Sequence, residues 1–516
     1  MRTLSITQFP GSGDMERFRA AAAYLRGNPG STLLLEPKIY TLHDPKARKL
    51  QEDVMAGRLT KSPEPLMFNY DFEYASGIDL TGAQDVCIDG RGATLLFDGF
   101  MENFTLARCK NVTLKNTNID LKRKAYSRGT VTGYGMNHTD ADFGGLPLLS
   151  EGMPTLRILF YHKKARRFIA CLSADRIKTL SGGKYRFFGM RHSGIGDELH
   201  LTHTYHFRPL ILIYEAENTL IENVCIHSHC GMGIVGHRSR DILLRGLQVV
   251  PSAGEAMSTN TDATHFVSCT GLLRFENCRF EGHGDDATNV HTYYHTIEKA
   301  KGNACTAAVR APTGTHSQKL DYFDAGDMVE LVESKTLAPV GTYKVLESRP
   351  DFRAMRCDYV LDGELPANFN KYFLADISQL PRLEFIGCHV RNHRARSVLV
   401  KTREVLIENC VFEDVMGAAV CVAAEGWWHE GVTAQNVTIR GNRIARCAGG
   451  IHIAIDAQDP GGFHRDITIE NNVIDCPGAK HAVYASNVDG LALRGNRMRA
   501  GKQAVLTKNC INVVIE

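Results

Sequence analysis

A repeated pattern of short strands and polar corners is the feature that most constrains the fold of this 516-residue chain. Each repeat has an alternating strand, an Asn or Gly turn and a second short strand, at a spacing of roughly 24 to 33 residues. Asn suits such a corner because its side chain bonds the backbone and tolerates the left-handed conformation. The pattern predicts an all-β fold, a right-handed parallel β-helix. Repeats of this form are residues 217–227, 272–281, 404–414, 436–444, 466–474 and 489–498.

Two long segments of the chain lack the Asn corners and have longer alternating strands instead. They predict two inserted antiparallel β-barrel or sandwich domains. An amphipathic stretch near the N-terminus predicts a helix that caps the open end of the coil. The predicted division is an N-terminal capping helix and lead-in (1–30), first β-helix rungs (31–123), an inserted antiparallel β domain (124–212), β-helix with the main acidic cluster (213–297), a second inserted β domain (298–381) and C-terminal β-helix rungs (382–516).

Composition argues against several classes of function. A net charge of +3 with scattered basic residues gives no reason to expect nucleic-acid binding. No apolar run reaches the ~18 residues that a membrane span needs. The N-terminal residues do not resemble a signal peptide, so we expect a cytoplasmic protein, or a secreted or periplasmic one whose leader was removed. The 15 cysteines include no CxxC pair, so we expect buried, reduced thiols, no metal and no cofactor.

Three acidic residues stand at neighbouring corners of the predicted coil: Asp262, and one repeat later Asp285 and Asp286. Adjacent rungs are about 4.8 Å apart, so equivalent positions lie close together on the outside of the coil. Neighbouring strand residues point to opposite faces, so the Asp pair can share a groove only at a corner, which Gly282 and Gly284 favour. Glycosidic hydrolysis uses carboxylates at a fixed spacing. The cluster therefore predicts a glycosidase in which mutual repulsion raises the pKa of at least one Asp, the general acid.

Polar and aromatic residues in nearby repeats are candidates for sugar binding. Asn289 and His291 alternate along the strand after the Asp pair, so they share a face. Charged side chains can hold hydroxyl groups or a charged substituent, and a Trp ring can stack on a pyranose. The candidates are Arg238, Asn260, Asn289, His291, Lys401, Arg403, Glu425 and Trp427, with Trp428 as the alternative to Trp427, and His265 and His283 as further positions.

These residues resemble glycoside hydrolase family 110, the inverting exo-α-galactosidases that remove terminal α-1,3-linked galactose. The resemblance rests on Gly-Asp-Asp-Ala-Thr-Asn-Val-His (284–291), Asp262 one rung earlier, the two insertions and Trp-Trp-His-Glu-Gly (427–431). It covers residues 214–480 and the insertion before them. It implies a carbohydrate substrate, a β-helix with added β domains, no metal, and Asp262, Asp285 and Asp286 as the catalytic acids of a direct displacement. Exposed strands of the insertions could support a homodimer.

The pairing of Asn-Thr-Asp (260–262) with Gly-Asp-Asp (284–286) also resembles the polygalacturonase-like glycosidases. Those enzymes have a Gly-His-Gly motif about one rung after the Asp pair and a later Arg-Ile-Lys triplet. Here Gly-His-Gly (282–284) immediately precedes the pair, and Lys-Thr-Arg (401–403) stands in place of the triplet. The alternatives are thus another β-helix glycosidase acting on a uronic acid or a different sugar, a polysaccharide lyase, or a non-catalytic carbohydrate-binding protein.

Overall fold

Parallel strands wind into a coil with three faces in the computed structural model, which describes residues 2–58, 73–144, 149, 151, 157–311 and 319–516. One rung consists of Thr264–Val267 on the first face, Thr270–Glu276 on the second and Arg279–Glu281 on the third. Each strand pairs in parallel with its equivalents in the rungs before and after. The all-β parallel β-helix predicted from the repeat is confirmed.

The strands of the rungs are divided among the three faces of the coil. The first face consists of Ser76–Asp79, Glu102–Ala107, Ile211–Tyr214, Ile234–His237, Thr264–Val267, the start of Thr288–Lys301, Val398–Val400, Ala418–Glu425, Gly449–Asp456, His481–Ser486 and Gln503–Lys508. The second consists of Arg2–Ser5, Ser31–Leu34, the first parts of Gln84–Asp98, Lys110–Leu121 and Glu217–Ile226, then Arg240–Arg245, Thr270–Glu276, Arg382–Ile386, Arg403–Glu408, Gln435–Arg440, His464–Glu470, Val488–Arg494 and Ile511–Ile515. The third consists of Ile39–His43, the second parts of the same three long strands, then Gln248–Val249, Arg279–Glu281, His389–Arg391, Val411–Glu413, Arg443–Ala445, Val473–Cys476 and Arg497–Ala500.

Tight turns join the second face to the third and keep the rungs in register. Asn277 and Asn409 occupy these turns with φ of 54° each, the left-handed conformation expected of the repeated Asn. The residue after each turn points inward, and Cys278, Cys388 and Cys410 are buried there in successive rungs. All fifteen cysteines are free thiols. Alternating Ile, Leu, Val and Phe side chains fill the interior of the coil, which forms one continuous core.

The first insertion leaves the coil after Leu121 and returns at Ile211. Its described residues form an antiparallel sheet of seven strands with its own core, which includes Phe143, Phe160 and Phe187. The strands are Tyr126–Gly135, His138–Asp142, Ile158–His162, Arg167–Leu172, Arg176–Thr179, Lys184–Phe188 and Glu198–Thr202.

The second insertion continues from the first-face strand Thr288–Lys301. Six antiparallel strands pair in a closed ring around a core that includes Val329, Val345 and Tyr359. The strands are the second part of Thr288–Lys301, then Ala304–Val309, Met328–Glu333, Pro339–Asp351, Arg356–Leu361 and Tyr372–Asp376. Glu430–Gly431 pairs antiparallel with the middle of Thr288–Lys301.

The N-terminal segment packs on the first rungs. Helix α1 (Asp14–Gly27) buries Phe18 and Leu25, and helix α2 (Pro45–Met55) starts at the N-cap Asp44. Short 3-10 helices span Ile6–Gln8 and Phe369–Lys371. Whereas the predicted rungs start at residue 31, the strand Arg2–Ser5 already pairs in parallel with Ser31–Leu34, so the coil includes a strand before α1. Within the described residues no helix combines the length and apolarity needed to cross a membrane.

Candidate active site

The turns that lead from the third face to the first face of the next rung bring the acidic residues together. In three successive rungs these corners are residues 250–263, 282–287 and 392–397. The backbone N–H of Ala263 donates to the carbonyl of Asp286, which stacks the first corner on the second. Gly284 permits the close approach, because a Cβ at this position would lie 2.2 Å from the carbonyl oxygen of Asn260.

Asp262, Asp285 and Asp286 meet at these corners. Each offers a carboxylate oxygen, and the three atoms lie within 4.8 Å of one another. The backbone N–H of Asp286 donates to Oδ1 of Asp262 over 3.3 Å. Asp262 and Asp286 are 5% and 3% exposed, so both carboxyl groups are largely removed from water.

Two arginines and a tyrosine bind Asp285. Arg157 Nη2 and Arg394 Nη1 reach its Oδ2 at 2.8 and 2.7 Å, and the Tyr205 hydroxyl donates to the same oxygen over 3.1 Å. Arg157 lies over the Tyr205 ring, 3.5 Å from its centroid. Arg157, Arg394 and Tyr205 thus converge on one oxygen of Asp285, and His206 lies close enough to lower the pKa of its carboxyl group as well.

Arg396 binds Asp286 at both oxygens. Its backbone N–H and Nε donate to Oδ1 over 2.8 and 3.1 Å, and Nη2 donates to Oδ2 over 2.9 Å. The remaining Nη1 donates to Glu425 Oε1 over 2.8 Å. One guanidinium group therefore fixes Asp286 and connects it to the next rung.

The three carboxyl groups differ in acidity. Burial, then the charges of Asp285 and Glu430, raises the pKa of Asp262 well above its usual value. Burial also raises the pKa of Asp286, to about 6, although Arg396 opposes the change. For Asp285 the effect of burial is outweighed by Arg157, Arg394 and Arg396, which hold its pKa below the usual value. At neutral pH the site thus has one firmly ionised carboxylate and two groups that retain a proton more readily.

A row of hydrogen-bonded side chains runs inward from Asp262. Its Oδ2 lies 2.6 Å from His265 Nδ1, and His265 Nε2 lies 2.8 Å from His291 Nε2. His291 Nδ1 lies 3.0 Å from the carbonyl oxygen of Thr292. Burial lowers the pKa of His265 to about 4, so its neutral imidazole is favoured.

Two sets of donor atoms at the site have the spacing of metal ligands: the three Asp oxygens, and His265 with His291 and Glu430. Positive side chains already neutralise both sets. Arg157, Arg394 and Arg396 bind the Asp cluster, and the ammonium group of Lys401 binds Glu430. A cation would have to displace these groups, so the donor sets do not fit a metal centre.

A pocket of about 270 Å³ opens above the three Asp. Tyr205 and His206, which follow the last strand of the first insertion, line one side. Trp428 lines the pocket from the turn between Ala418–Glu425 and Glu430–Gly431. The acidic corners, the first insertion and this turn together enclose a small polar cavity.

Three of the predicted sugar-binding residues, Asn289, Glu425 and His265, line the pocket, as does the alternative Trp428. Asn289 donates from Nδ2 to Glu430 Oε2 over 3.0 Å, and Glu425 bonds Arg396. His291 and Lys401 lie beneath the pocket and are fully buried. Lys401 Nζ is paired with Glu425 at 2.5 Å and with Glu430, so these two residues act on the pocket through its lining side chains.

Asn260, Arg238 and Arg403 lie away from the pocket because the insertions cover them. Asn260 is buried, and its Nδ2 donates over 3.0 Å to the carbonyls of Ala125 and Thr204, which flank the first insertion. Arg238 stacks on Tyr322 and donates to Asp324 over 2.7 Å. Arg403 Nη2 donates to Glu330 Oε1 over 2.7 Å. Each of these side chains holds an insertion against the coil and none lines the pocket, and their contact with substrate stays a prediction.

The structure places the two tryptophans differently. Trp427 is 71% exposed and does not line the pocket, whereas its neighbour Trp428 does. His429, which follows, has φ of 56°, so the chain reverses directly after the pair.

Arg394 and Arg396 are site residues that the sequence analysis missed. They stand at the same corner one rung after the Asp pair, with Arg396 at the position equivalent to Asp286 and Arg394 at that of Gly284, so an alignment of the repeats would have found this corner. Arg157 directly precedes the strand Ile158–His162 inside the first insertion and Tyr205 follows its last strand, where no repeat indicates their position. Glu430 was quoted in a motif without a role, and only its contacts with Asn289 and Lys401 reveal one.

Comparison with known proteins identifies a matching fold family and named relatives of this chain. The family described as the right-handed β-helix region matches residues 375–516. α-1,3-galactosidase B of Bacteroides thetaiotaomicron is 26% identical over 495 residues, which cover 84% of this chain and 78% of the relative. The chain resembles the α-1,3-galactosidases.

Another α-1,3-galactosidase shows the same relationship. α-1,3-galactosidase A of Bacteroides fragilis is 28% identical over 461 residues, covering 81% of this chain and 74% of the relative. Among solved structures, an exopolygalacturonase from Thermotoga maritima superposes with a TM-score of 0.46 at 13% identity, covering 100% of this chain and 92% of that one. The resemblance inferred from the Gly-Asp-Asp motif is confirmed by the α-1,3-galactosidases.

Proposed function

We propose that this chain is an exo-acting, inverting α-galactosidase that releases terminal α-1,3-linked galactose from oligosaccharides or glycans. The observation that carries the proposal is the cluster of Asp262, Asp285 and Asp286 on the floor of a small pocket, with differing acidities. The names of the relatives supply the sugar and the linkage.

The roles of the carboxyl groups follow from their partners. Asp285 is held ionised by two arginines, so it is the carboxylate that accepts a proton from water. Asp262 and Asp286 have raised pKa values, so one of them supplies the proton for the leaving oxygen. Water then forms the new bond to the anomeric carbon as the bond to the leaving oxygen breaks, and one proton moves at each end.

The close spacing of the carboxylates bears on stereochemistry. Oxygens within 4.8 Å are nearer than the ~6.5–9.5 Å between carboxyl groups typical of inverting enzymes. Inversion is nevertheless favoured by the third carboxylate. One water can lie between two oxygens at that separation and bond both, at about 2.7 Å each. Two carboxylates then hold the water and the third is the acid, whereas a retaining mechanism uses only two.

The size of the pocket supports exo action. About 270 Å³ is below the usual range for sites that enclose a drug-sized ligand, so the cavity suits a terminal sugar. Tyr205 and His206 on the insertion side and Trp428 on the other side wall the space above the Asp cluster. We infer that the terminal galactose occupies the pocket and that the rest of the glycan extends outward.

The charges around the pocket disfavour a uronic acid as the substrate. Arg394 and Arg396, which line the pocket, are bound to Asp285, Asp286 and Glu425. Lys401 and Arg403, the sequence candidates for holding a charged substituent, pair with Glu425, Glu430 and Glu330. A uronate would have to compete with carboxylates for each of these cations, and a neutral galactose would not.

Hydrolysis of a panel of substrates tests the proposal. The panel is α-1,3-galactobiose, a trisaccharide with a terminal α-1,3-galactose, and aryl α-galactosides, α-glucosides and α-galacturonides. We expect galactose as the sole monosaccharide from the first two, and Asp285→Asn to lose at least ~10²-fold in rate. Cleavage of the galacturonide alone, or binding without turnover, would contradict the proposal.

A further inference from the structure

We propose that Asp262, His265 and His291 form a unit that shares one proton, and that this unit makes Asp262 the general acid. The inference rests on the proposed function for its catalytic meaning, and on hydrogen-bond polarity for the placement of the proton. It assigns His265 and His291 as positioning residues.

The carbonyl oxygen of Thr292 sets the polarity of the row. A carbonyl can only accept, so His291 Nδ1 must carry the proton in their 3.0 Å bond. If His291 is neutral, its Nε2 is an acceptor, and His265 Nε2 must donate across 2.8 Å. A neutral His265 then presents an acceptor at Nδ1. The 2.6 Å bond to Asp262 Oδ2 consequently requires a protonated carboxyl group.

Charged forms of the two imidazoles give the same proton count. With His265 as an imidazolium, both its nitrogens donate and Asp262 is a carboxylate. With His291 as the imidazolium, His291 donates to His265 and His265 donates to Asp262. Each arrangement that makes all three bonds contains one proton more than an ionised Asp262 beside two neutral imidazoles. The unit is therefore neutral overall with this proton bound.

The environment favours keeping that proton on Asp262. His265 and His291 are 1% and 0% exposed. With the proton on Asp262 all three side chains are uncharged, so no ion pair is buried. Burial raises the pKa of Asp262 and lowers that of His265 to about 4, which agrees with a protonated carboxyl group beside a neutral ring. The charged groups that face the unit are Asp285, Asp286, Glu430, Lys401 and Arg396.

Asp262 lines the pocket at the outer end of the unit, where a leaving oxygen can compete with His265 as acceptor. As the bond from the anomeric carbon to the leaving oxygen breaks, that oxygen takes the Asp262 proton. The attacking water gives a proton to the ionised Asp285. The products are galactose and an alcohol, and solvent returns the proton from Asp285 to Asp262 after they leave.

Substrates with different leaving groups distinguish an acid from a base. A dinitrophenolate leaves without protonation, whereas a sugar alkoxide does not. Asp262→Asn should therefore lose ~10²–10⁴-fold in kcat/KM on α-1,3-galactobiose but less than about 10-fold on 2,4-dinitrophenyl α-galactoside. Asp285→Asn should lose kcat/KM on both substrates. Equal losses for Asp262→Asn on both substrates would overturn the assignment.

The two histidines are tested by the pH profile. His291→Phe removes the acceptor for His265, which can then donate from Nδ1 to an Asp262 carboxylate. That donor lowers the pKa of the acid, so the alkaline limb of kcat/KM should move to lower pH. His464→Phe is the matched control, because His464 is fully buried in the C-terminal rungs and should leave the limb in place. An unmoved limb in a folded His291→Phe variant would overturn the role of the unit.

An infrared difference spectrum tests the proton without turnover. Wild type minus Asp262→Asn at neutral pH should show the band of one buried protonated carboxyl group. The Asn amide can donate to His265 as the carboxyl group does, so this variant keeps the bond pattern and the fold. Absence of the band would overturn the placement of the proton on Asp262, and with it the assignment of Asp262 as the general acid. If the band is present but wild type cleaves no α-galactoside, the proposed function fails and the proton assignment stands.

Discussion

Arg396 binds both carboxylate oxygens of Asp286, through its backbone N–H, Nε and Nη2. Asp286 is 3% exposed, so this contact supplies the positive charge for a carboxylate that has little access to water. The same guanidinium group reaches Glu425 in the next rung. The contact thus joins the chemistry of the pocket to the stability of the coil.

Arg396→Gln should weaken both activity and stability. The variant leaves a buried carboxyl group without its cation, which raises the pKa of Asp286 further and costs about 3 kcal/mol of unfolding free energy. Urea unfolding and kcat/KM on an aryl α-galactoside measure the two effects. Arg446→Gln is the control, because Arg446 binds Asp414 in the same two-oxygen manner on the surface. It should cost at most about 1 kcal/mol and leave activity unchanged. Equal effects of the two variants would contradict the account.

The two adjacent tryptophans should differ in function. Trp428→Ala removes an aromatic wall of the pocket, and a loss of about 1.4 kcal/mol of contact energy corresponds to roughly tenfold in kcat/KM. Trp427→Ala removes a side chain that is 71% exposed and should change kcat/KM by less than twofold, roughly within the effect of an ordinary surface substitution. Steady-state kinetics on α-1,3-galactobiose measure both. A larger loss for Trp427→Ala would place the sugar outside the pocket described.

Asp262 should make the stability of the wild type fall as pH rises. Its folded pKa is raised, so the stability it contributes is fully present below the unfolded value near 4 and is lost as pH rises through the folded value. Asp262→Asn does not titrate and keeps a donor toward His265. Relative to wild type, the variant should gain up to about 1.4 kcal/mol per pH unit above pH 4. Denaturant unfolding of the variant and the wild type at pH 5 and pH 8 measures the gain. If the two proteins differed in unfolding free energy by the same amount at both pH values, the raised pKa would be contradicted.

An amide ladder inside the turns should stabilise the C-terminal rungs. Asn472 Oδ1 accepts from the backbone N–H and Nδ2 of Asn442 over 2.9 and 3.0 Å, and its Nδ2 donates to Ile439 O over 2.9 Å. Asn472→Ala leaves these buried groups unpaired and should cost about 3 kcal/mol. Asn436→Gly, at an exposed corner whose φ of 54° Gly tolerates, should cost less than about 1 kcal/mol. Thermal and urea unfolding compare the two, and equal costs would show that the ladder does not stabilise the coil.

The repeat predicted the coil because its information is local. A corner Asn in the left-handed conformation, as at Asn277 and Asn409, sets the turn, and alternation sets which side chains enter the core. The same periodicity placed Asp262 beside Asp285 and Asp286, since equivalent positions in neighbouring rungs must stack. The acidic cluster was therefore predictable from spacing.

The surroundings of that cluster were not predictable, because they depend on where the insertions fold back. Asn260 shares its motif with Asp262, yet the first insertion covers it. Arg238 and Arg403 lie on the outside of the coil, where the second insertion supplies Asp324 and Glu330 as their partners. No periodic signal relates an insertion to the rungs that it covers. The sequence thus identified reactive groups more reliably than their neighbours.

Proton NMR of α-1,3-galactobiose hydrolysis, followed from the first minutes before the anomers equilibrate, tests the central claim most directly. The account predicts that β-galactose appears first, because water held by the carboxylates attacks opposite the α-linked leaving group. First appearance of α-galactose would contradict inversion and would indicate that one of the closely spaced Asp acts as a nucleophile. Release of no galactose would contradict the proposed activity itself.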